Sequence, residues 1–181
     1  MEITDKSQPS NPNLIKAYHE LSAEALNDVL DNGLKRASRG DKGDDQDIIK
    51  TNKLLDSQLP TRLKRQSVSR DNNIYAYMCI DQSIIDITDG RLVPLDQFVA
   101  SSRGQIIELT IDPSKCFVSD LDAFDRLKLA IKQHFDQSQI QLLVTEYWGK
   151  LIRLDDYRPL SIDRPEIMIT YDMPASAIRR I

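Results

Sequence analysis

Apolar residues fall in short runs along this chain, and most of the runs have the length of β-strands. Val, Ile, Leu and Tyr dominate them, which is typical of strands bounded by turn residues. The predicted strands cover residues 14–19, 73–80, 105–111, 116–120, 165–171 and 176–181. Apolar side chains occupy both alternating faces of the run 73–80, which indicates a strand that is buried on both sides or faces a cleft.

Other segments carry the period of a helix. Helices are predicted at residues 23–32, 45–57, 119–135 and 140–148. Ser22 precedes the first helix, where its hydroxyl can cap the helix, and Gly33 follows it, where a left-handed residue commonly ends one. The third helix should be amphipathic. Its predicted buried stripe consists of Leu121, Phe124, Leu127, Ile131 and Phe135.

We predict one folded domain at residues 14–181, preceded by a loose tail at residues 1–13. One hydrophobic core still suffices for a chain of 181 residues. The tail is rich in Ser, Pro and Asn, and residues 37–45 have the composition of a flexible surface loop. Strands and helices do not alternate regularly. The predicted class is therefore α+β, with split antiparallel β-sheets flanked by helices, rather than a doubly wound fold.

The composition is that of an ordinary globular protein. A hydrophobic share of 40% beside a charged share of 29% argues against the disordered and fibrous classes. The first residues lack the layout of a signal peptide, and no apolar run approaches the roughly 20 residues of a bilayer span. We therefore expect a cytoplasmic protein with no membrane partner. The net charge of −4 argues against unspecific adhesion to nucleic acid, which depends on clustered Lys and Arg.

One cluster of basic residues stands out in a chain whose net charge is negative. Arg62, Lys64, Arg65 and Arg70 lie close together in a segment that follows Pro60 and has the features of a loop. Either the segment is a solvated basic loop, or its guanidinium groups bind a phosphate or another anion. The sequence leaves both interpretations open.

The common motifs of catalysis and metal binding are absent from the sequence. The chain has no glycine-rich phosphate loop, no paired metal-ligating histidines and no Gly-x-Ser-x-Gly. Cys79 and Cys116 are far apart, and each lies within an apolar run, which is typical of buried thiols rather than of a zinc or redox motif. We therefore predict no metal site.

Four polar residues interrupt or flank strands that are otherwise apolar: His19, Tyr75, Tyr77 and Glu166. A histidine can fix a sugar hydroxyl, a tyrosine ring can stack on a flat heterocycle, and a carboxylate can stabilise positive charge that develops at an anomeric carbon. Each residue also has a purely structural interpretation. The histidine can be a rim residue, the tyrosines can be core aromatics, and the glutamate can be a charge that protects a strand edge.

Three segments that carry these residues resemble the ADP-ribosyltransferase fold, in the branch with a His-Tyr-Glu triad. The branch includes the diphtheria-toxin-like and poly-ADP-ribose polymerase-like enzymes. The matching segments are "AYHELSAEALNDVLDNGL", "NNIYAY" and "RPEIMITYDMPASAI". The layout is also similar to that of bacterial DNA-modifying toxins and RNA 2′-phosphotransferases of the same superfamily.

The resemblance implies that NAD binds as a substrate in a cleft between two small sheets. His19 would then contact the adenine-side ribose, Tyr75 or Tyr77 would stack on nicotinamide, and Glu166 would hold the nicotinamide-side ribose. ADP-ribose would be transferred to a protein or nucleic-acid acceptor. Arg164 stands two residues before Glu166, where the arginine-directed branch has a second carboxylate, and it is a candidate phosphate contact instead.

Two alternatives remain within the same fold. An RNA 2′-phosphotransferase-like enzyme would use NAD to remove a phosphate, and the cluster of Arg62, Arg65 and Arg70 would suit a phosphorylated RNA end. A catalytically silent domain would instead bind a protein partner, for which Tyr147 and Trp148 are the candidate surface. The sequence predicts that an active enzyme brings His19, a tyrosine and Glu166 to one cleft.

Overall fold

Ten strands and six α-helices make up the part of the chain that the computed structural model describes, residues 14–37 and 45–181. The strands are β1 (Ile15–Leu21), β2 (Ile74–Tyr77), β3 (Cys79–Ile80), β4 (Ser83–Ile85), β5 (Leu92–Pro94), β6 (Gln105–Ile111), β7 (Cys116–Asp120), β8 (Ile152–Arg153), β9 (Pro165–Ile169) and β10 (Ile178–Arg180). The helices are α1 (Leu26–Asn32), α2 (Gln46–Ser57), α3 (Thr61–Lys64), α4 (Leu95–Ser101), α5 (Leu121–Lys132) and α6 (Gln137–Lys150). The tail predicted at residues 1–13 and most of the loop predicted at residues 37–45 lie outside the described residues.

The strands form antiparallel sheets, so the predicted α+β class is confirmed. One sheet has seven strands in the order β10-β6-β1-β2-β9-β7-β8, and the other has three in the order β3-β4-β5. β1 pairs with β6 along its whole length, from Ile15 opposite Ile111 to Leu21 opposite Gln105. β1 and β2 are paired at one position, Tyr18 opposite Tyr77. The large sheet therefore consists of two halves that meet at a single residue pair.

Helices cover both faces of the seven-stranded sheet. Ala17, Leu21, Leu109 and Ile167 belong to the core on the face that α1 covers, and they pack there with Val29 and other apolar side chains. On the opposite face, α2, α5 and α6 cover the half that contains β7 and β9. α4 packs beside the three-stranded sheet and contributes to a smaller cluster around Tyr18. Side-chain alternation along the strands produces this division between the two faces.

The first helix begins later than the sequence predicts. Ser22 does not cap it, because β1 continues through Leu21 and the chain needs a turn at residues 23–25 before α1 starts. The N-cap is Ala25, without a side-chain hydrogen bond. Gly33 does end α1, with φ of 83°, and a Cβ atom there would lie 2.3 Å from the carbonyl oxygen of Met173. Any other residue at position 33 would collide with the backbone.

The later helices follow the predicted pattern more closely. Asp45 caps α2. Asp120 caps α5, and the carboxylate of Asp120 accepts hydrogen bonds from the backbone amides of Asp122 and Ala123. Phe135 is an exception, because α5 ends at Lys132 and leaves Phe135 outside the buried stripe and 44% exposed. None of the helices within residues 14–37 and 45–181 is long and apolar enough to cross a membrane.

The region between β2 and β6 differs most from the sequence prediction. The run 73–80 forms two strands, because the chain leaves the large sheet at Met78 and enters the small one. β4, β5 and α4 were not predicted. Strands of three residues carry too few apolar positions to show a period of two, so the sequence has no clear signal for β4 and β5.

The fold predicts that the two cysteines differ in reactivity. Cys116 is fully buried in β7, and burial raises the pKa of its thiol to about 12, whereas Cys79 is partly exposed. Only the thiolate attacks an alkylating reagent. In the native protein at pH 8 we expect Cys79 to be labelled about 100-fold or more faster than Cys116. Mass spectrometry of a time course would measure this ratio, and similar rates at both thiols would contradict the fold.

Candidate functional site

A cleft of about 890 Å³ opens where β1 and β2 part. Beyond the pair of Tyr18 and Tyr77, the end of β1 and the start of β2 diverge, since no further residues of the two strands pair within the described chain. Residues 19–22 form one wall of the cleft, residues 73–77 form the other, and α1 closes it from the side. The cleft is therefore a gap within the seven-stranded sheet, not a space between two separate sheets.

All four polar strand residues from the sequence analysis line this cleft. Tyr77 lies opposite Glu166 on β9, so these two side chains share one face of the sheet. His19 follows Tyr18 by one residue and points to the other face. The gap between β1 and β2 joins the two faces, and this brings the histidine into the same cleft as the glutamate.

The ring of His19 is held by the backbone of the opposite wall. Its Nδ1 atom lies 2.5 Å from the carbonyl oxygen of Tyr75. A carbonyl oxygen only accepts hydrogen bonds, so Nδ1 must carry the proton and donate it. In the neutral ring this leaves Nε2 as an acceptor, which is the form that receives a hydrogen bond from a sugar hydroxyl.

Glu166 forms a buried ion pair with Arg70. The guanidinium Nη1 atom lies 2.5 Å from Oε2 of Glu166, and the two side chains are 4% and 9% exposed. Burial by itself would lower the pKa of the Arg70 guanidinium, but the Glu166 carboxylate outweighs burial and raises the pKa above its ordinary value. The Arg70 guanidinium therefore remains charged inside the protein.

Aromatic rings hold the Arg70 side chain in place. Its guanidinium carbon lies 4.5 Å from the ring centroid of Tyr75 and 4.3 Å from that of Phe124. The hydroxyl of Tyr75 donates to the carbonyl of Arg70, and the amide of Arg70 donates to Asp56 of α2 at 2.6 Å. Arg70 is thus packed between the core and Glu166. The sequence predicted it as part of a solvated loop or as a phosphate contact, whereas the structure buries its charge and pairs it with Glu166.

The two tyrosines differ in their surroundings. Tyr75 is 8% exposed, and one side of its ring lies against Arg70. Tyr77 is less buried, and its ring meets Phe98 edge-on at 4.9 Å between centroids. Burial raises the pKa of the Tyr77 hydroxyl, and the carboxylate of Glu20 raises it further, so the hydroxyl stays protonated.

Glu20 is a cleft residue that the sequence analysis missed. Its Oε2 accepts a hydrogen bond from the Tyr77 hydroxyl at 3.2 Å, and its Oε1 accepts one from the amide of Gly104 at 2.7 Å. The carboxylate therefore ties β2 to the turn that precedes β6. A glutamate directly after His19 has no distinctive spacing in the sequence, so only the partners of its side chain reveal this role.

The remaining predicted arginines lie elsewhere. Arg62 and Arg65 are not among the residues that line the cleft. Arg164 forms ion pairs with Asp122 at 2.8 Å and with Asp125 at 2.9 Å, and it lines a separate groove of about 400 Å³. Its charge is thus already balanced by two carboxylates.

Two other basic residues line the cleft in place of the predicted arginines. They are Lys35, which follows α1, and Arg103, which precedes β6, and both are exposed. Neither was predicted from the sequence, because Arg103 stands alone in its loop and Lys35 is part of a short Lys-Arg pair after α1 that has no distinctive spacing.

Tyr147 and Trp148 do not form a partner surface. They are 1% and 2% exposed, and the indole nitrogen of Trp148 donates to the carbonyl of Leu55 at 3.1 Å. They belong to the core between α2, α5 and α6. The prediction failed because α6 turns this part of its surface inward, as an amphipathic helix does.

Comparison with known proteins identifies no relative of this chain. No protein-family model, no curated protein and no solved structure matches the chain. Within residues 14–37 and 45–181, no three or more His, Cys, Asp or Glu side chains are grouped so as to hold a metal ion. The function must therefore be argued from the geometry of the cleft itself.

Proposed function

We propose that this protein is an ADP-ribosyltransferase that cleaves NAD and transfers ADP-ribose to a protein or nucleic-acid acceptor. One observation carries the proposal: His19, Tyr77 and Glu166 line one cleft, although they come from three strands and from both faces of the sheet. Packing of a hydrophobic core does not require an imidazole, a partly exposed tyrosine and a carboxylate around an opening of this volume. Their convergence is instead typical of a binding or catalytic site.

The three residues support a consistent set of roles. Nicotinamide stacks on Tyr77, whose ring is more accessible than that of Tyr75. Glu166 accepts a hydrogen bond from a hydroxyl of the adjacent ribose and stabilises the positive charge that develops on its anomeric carbon. The glycosidic C–N bond breaks, and its electron pair leaves with nicotinamide. The acceptor then attacks the anomeric carbon and loses a proton. His19 binds the other ribose through Nε2.

Arg70 acts as a positioning residue for Glu166 in this proposal. The donors to the Glu166 carboxylate among the described residues bond to Oε2, so Oε1 is available to a ribose hydroxyl. The ion pair fixes the position of the carboxylate, and the two flanking rings keep Arg70 from moving. A carboxylate fixed before the substrate binds needs little reorganisation when positive charge appears next to it.

Lys35 and Arg103 complete the proposal as contacts for the pyrophosphate. Both line the cleft and neither is buried, so their long side chains can reach an anion without leaving water entirely. A dinucleotide carries its two negative charges at its centre. Exposed cations at the wall of the cleft are suited to binding that part of the ligand.

The direct test is to incubate the purified protein with NAD and to measure nicotinamide release. Transfer of labelled ADP-ribose to cell lysate, to nucleic acid and to the protein itself would then identify the class of acceptor. The proposal predicts release by the wild type. If calorimetry detects no NAD binding and no nicotinamide appears, the proposal fails.

Tyr77 supplies a second measurement. Tyr77→Ala is expected to raise the KM for NAD about tenfold or more, because stacking on an aromatic ring contributes roughly 1 to 3 kcal/mol. Tyr77→Phe keeps the ring and loses the bond to Glu20, so its KM should stay within a few-fold of the wild type. Tyr157→Ala, away from the cleft, is the matched control. An unchanged KM in Tyr77→Ala would remove Tyr77 from the site.

A further inference from the structure

The cleft contains a buried amide side chain that the proposed function does not use. Asn73 directly precedes β2, lines the cleft and is 2% exposed. Neither its Oδ1 nor its Nδ2 has a hydrogen-bond partner among the described residues. Buried amides without partners are rare in folded proteins, because the group gives up its hydrogen bonds to water and receives nothing in return. This exception lies on a wall of the binding cleft.

The position of Asn73 limits what it can contact. It lies four residues from Tyr77 on the same wall of the cleft, which is about 13 Å at the usual rise of a strand. A dinucleotide whose nicotinamide lies at Tyr77 and Glu166 extends over such a distance and places its other base there. The amide is therefore too far away to serve the reacting end of the ligand.

We infer that Asn73 binds the adenine base and makes the cleft selective for it. An asparagine amide offers one acceptor and one donor side by side. Adenine presents the complementary pair on one edge, with the N6 amino group as donor and N7 as acceptor. Both orphaned atoms of Asn73 are satisfied in this arrangement, and the base gains an orientation relative to the ribose that His19 binds.

This inference rests on the proposed function, but its test is independent of catalysis. Binding is measured by calorimetry with three ligands: NAD, nicotinamide hypoxanthine dinucleotide and nicotinic acid adenine dinucleotide. Hypoxanthine carries an oxygen acceptor in place of the N6 amino group, so it faces Oδ1 of Asn73 with like polarity. Nicotinic acid changes only the other end of the dinucleotide.

The wild type is expected to bind NAD on the order of 10- to 100-fold more tightly than the hypoxanthine analogue. Asn73→Leu, which keeps the size of the side chain, should bind both dinucleotides weakly and with similar affinity. Its discrimination against the nicotinic acid analogue should remain that of the wild type. Asn72→Leu is the matched control, since Asn72 is the neighbouring asparagine and is exposed. It should keep both preferences.

The thermal midpoint of the free protein separates binding from a structural role. Because the amide has no partner in the described chain, Asn73→Leu should unfold at the wild-type temperature or above it. The inference is overturned if NAD binds and Asn73→Leu keeps the preference for adenine. It is also overturned if that variant loses discrimination at the nicotinamide end instead. Absence of NAD binding by the wild type would instead refute the proposed function.

Discussion

Replacing Arg70 with methionine is expected to lower the free energy of unfolding by about 3 to 5 kcal/mol, the usual loss when one partner of a buried ion pair is removed. The variant leaves the Glu166 carboxylate in the interior without its counter-charge, and it also removes the cation from between Tyr75 and Phe124. For a domain of this size the thermal midpoint should fall by roughly 6 to 20 °C. Chemical denaturation and calorimetry measure both quantities.

A matched variant at an exposed salt bridge shows how much of the loss in Arg70→Met is due to the burial of its ion pair. Arg126 pairs with Glu146 at 2.6 Å, but its side chain is 53% exposed. Arg126→Met should therefore cost no more than about 1 kcal/mol. The double variant Arg70→Met with Glu166→Leu removes both buried charges and should be more stable than Arg70→Met alone. Equal losses in Arg70→Met and Arg126→Met would show that Arg70 is not buried as described.

Glu166→Gln is expected to lower the rate of nicotinamide release about 100-fold, which corresponds to about 3 kcal/mol of transition-state stabilisation. Glutamine keeps the shape and an acceptor oxygen, but it lacks the negative charge that opposes the developing cation. The ground-state contacts of NAD remain, so KM should change much less than kcat. Single-turnover kinetics with the folded variant would measure the two separately.

The substitution also leaves Arg70 without a counter-charge, so a control for stability is needed. Glu108 is as buried as Glu166, at 7% exposure, and it pairs with Lys16 at 3.0 Å and with Arg179 at 3.2 Å outside the cleft. Glu108→Gln should destabilise the fold and retain the wild-type kcat. Equal losses of kcat in the two glutamine variants would mean that Glu166 matters only for folding.

The sequence predicted the elements that carry a long, regular period. β6 occupies the predicted residues 105–111, and α2 differs from its predicted range by one residue. Seven residues of a strand, or twelve of a helix, repeat the apolar pattern often enough to be recognised. β8, with two residues, repeats it too few times, and the start of α1 depended on where β1 ended, which is a tertiary property.

The candidate site was predictable in its residue types but not in its supporting contacts. His19 and Glu166 interrupt apolar strands, which is a local signal. Their convergence depends on the order β1-β2-β9 and on the gap between the first two strands, which no local pattern encodes. Arg70 illustrates the limit most clearly. Its neighbours in the sequence, Ser69 and Asp71, are polar, while its neighbours in space are two aromatic rings and a carboxylate.

The one-pair junction between β1 and β2 has a mechanical consequence. Sliding β1 along β6 would break a ladder of seven residue pairs. Widening the gap strains mainly the pair of Tyr18 and Tyr77 and the side-chain bonds from His19 to Tyr75 and from Tyr77 to Glu20. The seven-stranded sheet therefore deforms most easily at the junction of β1 and β2. A ligand that contacts both walls of the cleft would link the two halves of the sheet and make the whole sheet more rigid.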